Sequence, residues 1–138
     1  MKMIQKISKT SNVITWFEIP VTDTARAKKF YETILDIEMR TQHFEETNEE
    51  LTFFPAEPGV IQATSGRVSG ALVKNDRQHP AADGIRVYLN AYPRLQTVID
   101  KIAPAGGKLL QPRTQIPAGY IAVFSDTEGN TVAIHAEE

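Results

Sequence analysis

The groups in this chain whose types and placing could do chemistry are a carboxylate, a guanidinium and an imidazole on the alternating faces of three short segments. Glu18 lies in Asn12 to Pro20 (NVITWFEIP), where Thr15, Phe17 and Ile19 fall on one face and Ile14, Trp16 and Glu18 on the other. A buried carboxylate left unpaired is costly, so Glu18 calls for a partner. Arg86, in IRVYLN, can supply a salt bridge that satisfies both groups. Alternatively each acts on a ligand, with the planar fork of Arg86 gripping a ligand carboxylate. His135 follows Thr131 and Ala133 on the mixed face of a late strand. Together Glu18 and His135 make a plausible acid and base, because imidazole titrates near neutral pH. The plainer reading of His135 is a rim position without a chemical role.

Two repeats of one pattern must position these groups. After the first strand, Thr22 or Asp23 can cap a helix whose Ala27, Phe30, Tyr31 and Ile34 recur at i, i+3, i+4 and i+7. Extended pieces follow at Ile37 to His43, Leu51 to Phe54 and Val68 to Lys74, and the polar Asn75 to Asp83 reads as a connector. Ile85 to Asn90 then alternates, with Ile85, Val87 and Leu89 opposite Arg86, Tyr88 and Asn90. A second helix carries Leu95, Val98, Ile99 and Ile102 at the same spacing and stops at Ala105-Gly106-Gly107. Lys108 to Gln111 reads as a short strand and Pro112 to Ala118 as a loop.

The chain closes on Gly119 to Ala136, two strands around Asp126-Thr127-Glu128-Gly129-Asn130, where Asp126 can bond its own backbone and Gly129 can take a positive φ. Trp16 and Arg86 hold equivalent inward places in the two repeats. With a helix on one face of each sheet, the other faces curl into a trough lined by Trp16, Glu18, Arg86, Tyr88, Thr131 and His135.

Composition narrows the chemistry. At 138 residues, 41% hydrophobic and 23% charged, the chain is sized for one compact domain, 1–138, with a first module over about 12–74 and a second over about 84–136. The absence of cysteine excludes disulfides, a thiolate nucleophile and thiolate-held metals. A net charge of -2 without a basic run argues against nucleic acid as a partner. No segment approaches the ~18 apolar residues of a membrane span, and Met1 to Ser11 lacks a secretory signal, so a cytoplasmic address is expected. Glu45, Glu46, Glu49 and Glu50 read as a solvated loop, and His43 and His79 as loop residues without a special role. No serine stands in a nucleophile elbow.

WFEIPVTDTARAKKFYETIL, GALVK, GIRVYLN and GYIAVFSDTEGNTVAIH, in that order, resemble the vicinal oxygen chelate superfamily, which holds glyoxalase I, the extradiol dioxygenases and the bleomycin-resistance proteins. The resemblance implies an α+β fold of two βαβββ modules forming a curled-sheet trough, completed in many members by a homodimer. In metal-dependent members a divalent ion is held by inward residues of the first and fifth strands and by groups late in each module. Carried over, these places fall on Trp16, near Arg86, in the Glu50 to Phe54 strand and on Ala133, and Trp16, Arg86 and Ala133 cannot bind a metal.

The expected function is therefore a glyoxalase/bleomycin-resistance-like protein that binds a small molecule without a cofactor. Trp16, Phe54 and Tyr88 form its apolar lining, Glu18 and Arg86 orient the ligand, and Thr131 and His135 stand on the same face. The alternatives are a lyase, isomerase or dioxygenase, with Ni, Zn, Mn or Fe if metal-dependent and Glu18 and His135 as catalytic groups, and an interaction domain whose trough is filled by its own side chains.

Overall fold

Alternation and helical stripes do build two copies of one motif. The structure, a computed structural model, describes residues 7–138; the start of the leader, where no secretory signal is expected, lies outside the described residues. The first copy runs β1 (Trp16–Pro20), α1 (Thr24–Leu35), β2 (Arg40–Phe44), β3 (Glu49–Phe53) and β4 (Ser69–Lys74). The second runs β5 (Tyr88–Asn90), α2 (Leu95–Ile102), β6 (Lys108–Ile116), β7 (Gly119–Ser125) and β8 (Thr131–Ala136). Each copy forms a four-stranded mixed sheet, in the orders β1-β4-β3-β2 and β5-β8-β7-β6. In both, the leading strand is an edge and runs parallel to the last strand of its copy. The two sheets are not joined, so the trough is open between β1 and β5.

The helices form where their stripes predict. Asp23 caps α1, accepting from the Arg26 backbone N–H at 3.0 Å. Ala27, Phe30, Tyr31 and Ile34 are buried along one face, as are Leu95, Val98, Ile99 and Ile102 on α2. Burial of each large side chain contributes about 1.5–3 kcal/mol. The two stripes meet in one cluster: Phe30 of the first copy packs on Phe124 of the second with ring centroids 5.8 Å apart, and Tyr31 packs on Phe54 at 5.9 Å.

Three sequence expectations are corrected. Ile85 to Asn90 is not a continuous strand, because only Tyr88–Asn90 pairs, and Ile85 is 97% exposed. The backbone explains this. Ala133 N–H bonds to Val87 C=O, but the next donor back, Thr131 N–H, is taken by Ala81 of the connector. Residues 85 and 86 therefore have no place in the ladder. Next, Pro112 to Ala118 is no loop: β6 continues to Ile116, with register shifts after Leu109 and Gln111. As an edge strand it tolerates Pro112, which has no N–H to offer a neighbour. Lastly, the strand expected over Leu51 to Phe54 is β3, Glu49–Phe53; Phe54 follows it, 7% exposed and packed on Phe17 with ring centroids 5.4 Å apart, and still borders the cleft. The aromatic neighbour of Trp16 is Phe53, at 6.2 Å. Moving one residue along a strand changes the face it serves.

Gly70 stands opposite Phe17 in the β1–β4 pair, where there is no room for a side chain. A Cβ there would meet the Phe17 carbonyl and sit 2.7 Å from its ring. Since backbone cannot give way as a flexible side chain does, Gly70→Ala is expected to cost about 2–3 kcal/mol, measured by urea unfolding. An unchanged midpoint would show that β1 shifts freely.

Candidate functional site

The hairpin turn between β7 and β8 carries the most unusual electrostatics, and its role is to fasten the two copies together. Gly129 has φ +93°, which closes the turn. Asp126 Oδ1 accepts from the backbone N–H groups of Glu128 at 2.8 Å and Asn130 at 2.9 Å. Its Oδ2 accepts from the Tyr31 hydroxyl at 2.7 Å and from Asn130 Nδ2 at 3.0 Å. Burial, with the Asp126 charge and hydrogen bond, pushes the Tyr31 hydroxyl well above its ordinary range.

Glu128 reaches across to the start of α1. It accepts from Thr22 N–H at 2.9 Å, Asp23 N–H at 2.8 Å and Arg26 Nε at 2.7 Å. Its side chain is fully buried. Burial alone would raise its pKa, but the hydrogen bonds from Arg26, Asp23, Thr22 and Thr127 outweigh that and hold it at about 2. Sequence reasoning recognised this turn but missed Glu128. The available signal was a carboxylate one residue before the turn glycine, and nothing local shows that its partners lie about a hundred residues away.

The trough groups are less tightly held. A cavity of about 1280 Å³ runs along the opening between β1 and β5, bordered by the 75–87 connector. Trp16, Glu18, Phe54, Arg86, Tyr88 and Thr131 all line it, as does His79, which sequence reasoning set aside. Phe54 does so from the core, whereas Trp16 is 42% and Tyr88 51% exposed. Glu18 is exposed. It is held by neutral donors, Trp16 Nε1 at 3.2 Å and Gln78 Nε2 at 3.1 Å. Among the described residues the ion pairs are Arg26–Glu128 and Arg77–Glu49, so the alternative of a Glu18–Arg86 bridge does not describe this arrangement.

His135 lies elsewhere. It lines a recess of about 470 Å³ with Ile116 and Ile121, which adjoins the cleft across Tyr88 and Asn90, and its Nε2 stands 2.7 Å from the Ala118 carbonyl. That carbonyl can only accept, so Nε2 carries the proton. The expected meeting of Glu18 and His135 is not observed: they stand on separate sheets, His135 bonded to Ala118 and Glu18 to Trp16 and Gln78.

Internal symmetry refines the places relevant to a metal. Glu18 pairs with Ala71 as Tyr88 pairs with Ala133, so the first-module counterpart of Ala133 is Ala71, not a residue of the Glu50 to Phe54 strand. Glu50 itself faces the helix and accepts from Thr24 Oγ1 at 2.8 Å. Among the described residues no three His, Asp or Glu side chains are grouped to hold an ion. Trp16, Arg86, Ala71 and Ala133 lack the donor chemistry of a divalent site, which needs about three protein ligands.

Paired βαβββ units with an open cleft between their leading strands define an α+β scaffold with one large lined cavity. The chain belongs to the Glyoxalase/Bleomycin resistance protein/Dioxygenase superfamily, whose family model matches residues 13–134. No curated protein matches it in sequence. Among solved structures it is similar to a glyoxalase I mutant from Zea mays, with TM-score 0.63 and 18% identity over 88% of this chain and 46% of the other. It thus spans about half the length of that protein. An antibiotic binding protein from a Streptomyces species, TnmS3, matches with TM-score 0.63 and 18% identity, over 92% of this chain and 97% of the other. The fosfomycin resistance protein FosX from Listeria monocytogenes, complexed with Mn(II) and a dihydroxypropylphosphonic acid, gives TM-score 0.57 and 15% identity, over 89% of this chain and 90% of the other. At these identities the likeness is one of fold. No helix among the described residues is long and apolar enough to cross a membrane.

Proposed function

We propose that this protein binds a small organic molecule in the cleft between its two modules, the whole chain acting as one unit, without the family's usual metal. The observation that carries the reading is the cavity of about 1280 Å³ with half-exposed Trp16 and Tyr88 in its lining. A large apolar pocket with a few convergent polar groups is what ligand sites look like. In this reading Trp16 and Tyr88 supply contact area while Glu18, Arg86 and Thr131 orient the polar end. The fold is shared with an antibiotic binding protein, so sequestration of a small molecule is among the functions this scaffold can serve.

Trp16 is the single tryptophan of the chain, so its emission reports occupancy of the cleft. Titration with the neutral phenoxazone dye Nile red is expected to shift that emission saturably, and Trp16→Ala, followed through the dye's own fluorescence, is expected to weaken dye binding at least about tenfold. Absence of saturable binding overturns the reading. Elemental analysis after growth with Ni, Zn, Mn and Fe tests the metal part: one tightly held ion per chain overturns it and favours a glyoxalase-related lyase, isomerase or dioxygenase.

The acid–base version of the enzyme reading is not favoured, since Glu18 and His135 stand on separate sheets and are hydrogen-bonded to other groups. The filled-trough interaction domain is likewise disfavoured by the size of the cleft. A cytoplasmic homodimer that binds neither nucleic acid nor membrane completes the proposal. Val13, Ile14, Trp16, Val68, Ile85 and Tyr88 form an exposed apolar border around the cleft that a second copy can cover. Sedimentation equilibrium tests this: a monomeric mass at all concentrations removes the dimer.

A further inference from the structure

We infer that the cleft is built for a zwitterion, a flat apolar body carrying both an amine and a carboxylate. This rests on the ligand-binding reading and specifies its chemistry. Glu18 and Tyr88 hold equivalent places in their ladders, and Trp16 and Arg86 each stand two residues before them in the chain, Trp16 inside its strand and Arg86 just ahead of β5. The first module therefore presents an aromatic group and an anion, Trp16 and Glu18, where the second presents a cation and an aromatic group, Arg86 and Tyr88. All four line one cavity.

The charges are opposite in sign yet do not pair with each other. The ion pairs among the described residues involve neither Glu18 nor Arg86. Glu18 is nevertheless oriented, because Trp16 Nε1 holds one carboxylate oxygen and Gln78 Nε2 the other. Each of those oxygens has a further lone pair for a ligand ammonium, and the neighbouring Trp16 face attracts a cation through its ring quadrupole. Arg86 offers a planar fork matched to a carboxylate. Asp83 and His79 also line the cavity, but from the connector. Glu18, held on a paired strand by two donors, is the better-organised anion.

A matched set of probes decides the matter: L-biphenylalanine, the corresponding amine lacking the carboxylate, and the corresponding acid lacking the amine. None competes with tryptophan for selective excitation, so Trp16 emission gives all three affinities, checked by calorimetry. The zwitterion is expected to bind at least about tenfold more tightly than either truncated probe. Glu18→Gln should erase its advantage over the acid and leave the affinity of the acid unchanged. Arg86→Met should erase its advantage over the amine and leave the amine unchanged.

Equal affinities across the three probes overturn the inference while leaving ligand binding intact, as does binding of Nile red with none of the probes. Loss of amine discrimination in Asp83→Asn but not in Glu18→Gln also overturns it. If neither the probes nor Nile red bind, the ligand-binding reading falls with it.

Discussion

Replacing Glu128 with glutamine is expected to lower stability by about 3 kcal/mol near neutral pH, or roughly 10 °C in Tm. The wild-type carboxylate is buried and accepts from two backbone N–H groups at the start of α1, from the Thr22 hydroxyl and from both Nε and Nη2 of Arg26. A glutamine keeps one acceptor oxygen but turns an NH₂ toward donors, so several hydrogen bonds are lost and one or more N–H groups become unsatisfied. The pH dependence follows from the carboxylate's folded pKa of about 2, below its ordinary value of 4.5.

A group held below its unfolded pKa stabilises the fold fully above that unfolded value and loses the contribution as pH falls through the folded one. The difference between wild type and Glu128→Gln should therefore be largest above about pH 5 and should shrink towards zero near pH 2. Urea unfolding at several pH values measures it. A difference that does not change with pH would show that the hydrogen-bond geometry, not the charge, is what Glu128 contributes.

Asp126→Ala is expected to be at least as damaging, at about 4 kcal/mol. Its two oxygens satisfy two turn N–H groups, the Asn130 amide and the buried Tyr31 hydroxyl. Truncation leaves these donors without an acceptor in a place closed to water. Tyr31→Phe removes the hydroxyl and its need for a partner together, so it should cost only about 1–2 kcal/mol. In the double variant the losses should add to less than their sum, because the orphaned hydroxyl is no longer present. Strict additivity in the four-way unfolding comparison would mean that Tyr31 and Asp126 are not coupled.

These effects are as large as they are because the turn joins the two modules. Asn130 Nδ2 also bonds the Pro20 carbonyl at the end of β1, and its Oδ1 accepts from Ala81 of the connector. One five-residue turn thus touches β1, the cap of α1, the middle of α1 and the connector. Loss of Asp126 should consequently loosen the cleft as well as the core, visible as faster amide exchange at Ala81 and Thr131.

The readings that held are those whose cause is local. Helical stripes at Ala27, Phe30, Tyr31 and Ile34, and at Leu95, Val98, Ile99 and Ile102, are facts of spacing. The strand-turn-strand around Gly129 is a fact of backbone freedom and of an aspartate that bonds its own turn. Repetition of these signals gives two like modules of a strand, a helix and further strands, whereas the family rests on the resemblance of whole stretches such as GYIAVFSDTEGNTVAIH. The readings that changed all depend on which distant backbone group is already engaged. Thr131 N–H goes to Ala81, so Ile85 and Arg86 leave the strand that their alternation suggested. The edge position of β6 permits Pro112 inside a strand.

The modules and their order are written in the sequence, and so is the inward face of Trp16, Glu18 and Tyr88, because alternation decides the face of a strand; Arg86 reaches the same cleft from just outside β5. How those groups stand to one another depends on the folded chain. It left the sheets apart between β1 and β5, which separates His135 from Glu18 and keeps Glu18 and Arg86 as unpaired opposite charges in one cleft. It also turned Glu128, an ordinary acidic turn residue in the sequence, into a buried carboxylate at the head of α1. The physical reason is that face and helicity are set by neighbours a few residues away, whereas pairing, burial and charge depend on groups that only the folded chain brings within about 3 Å.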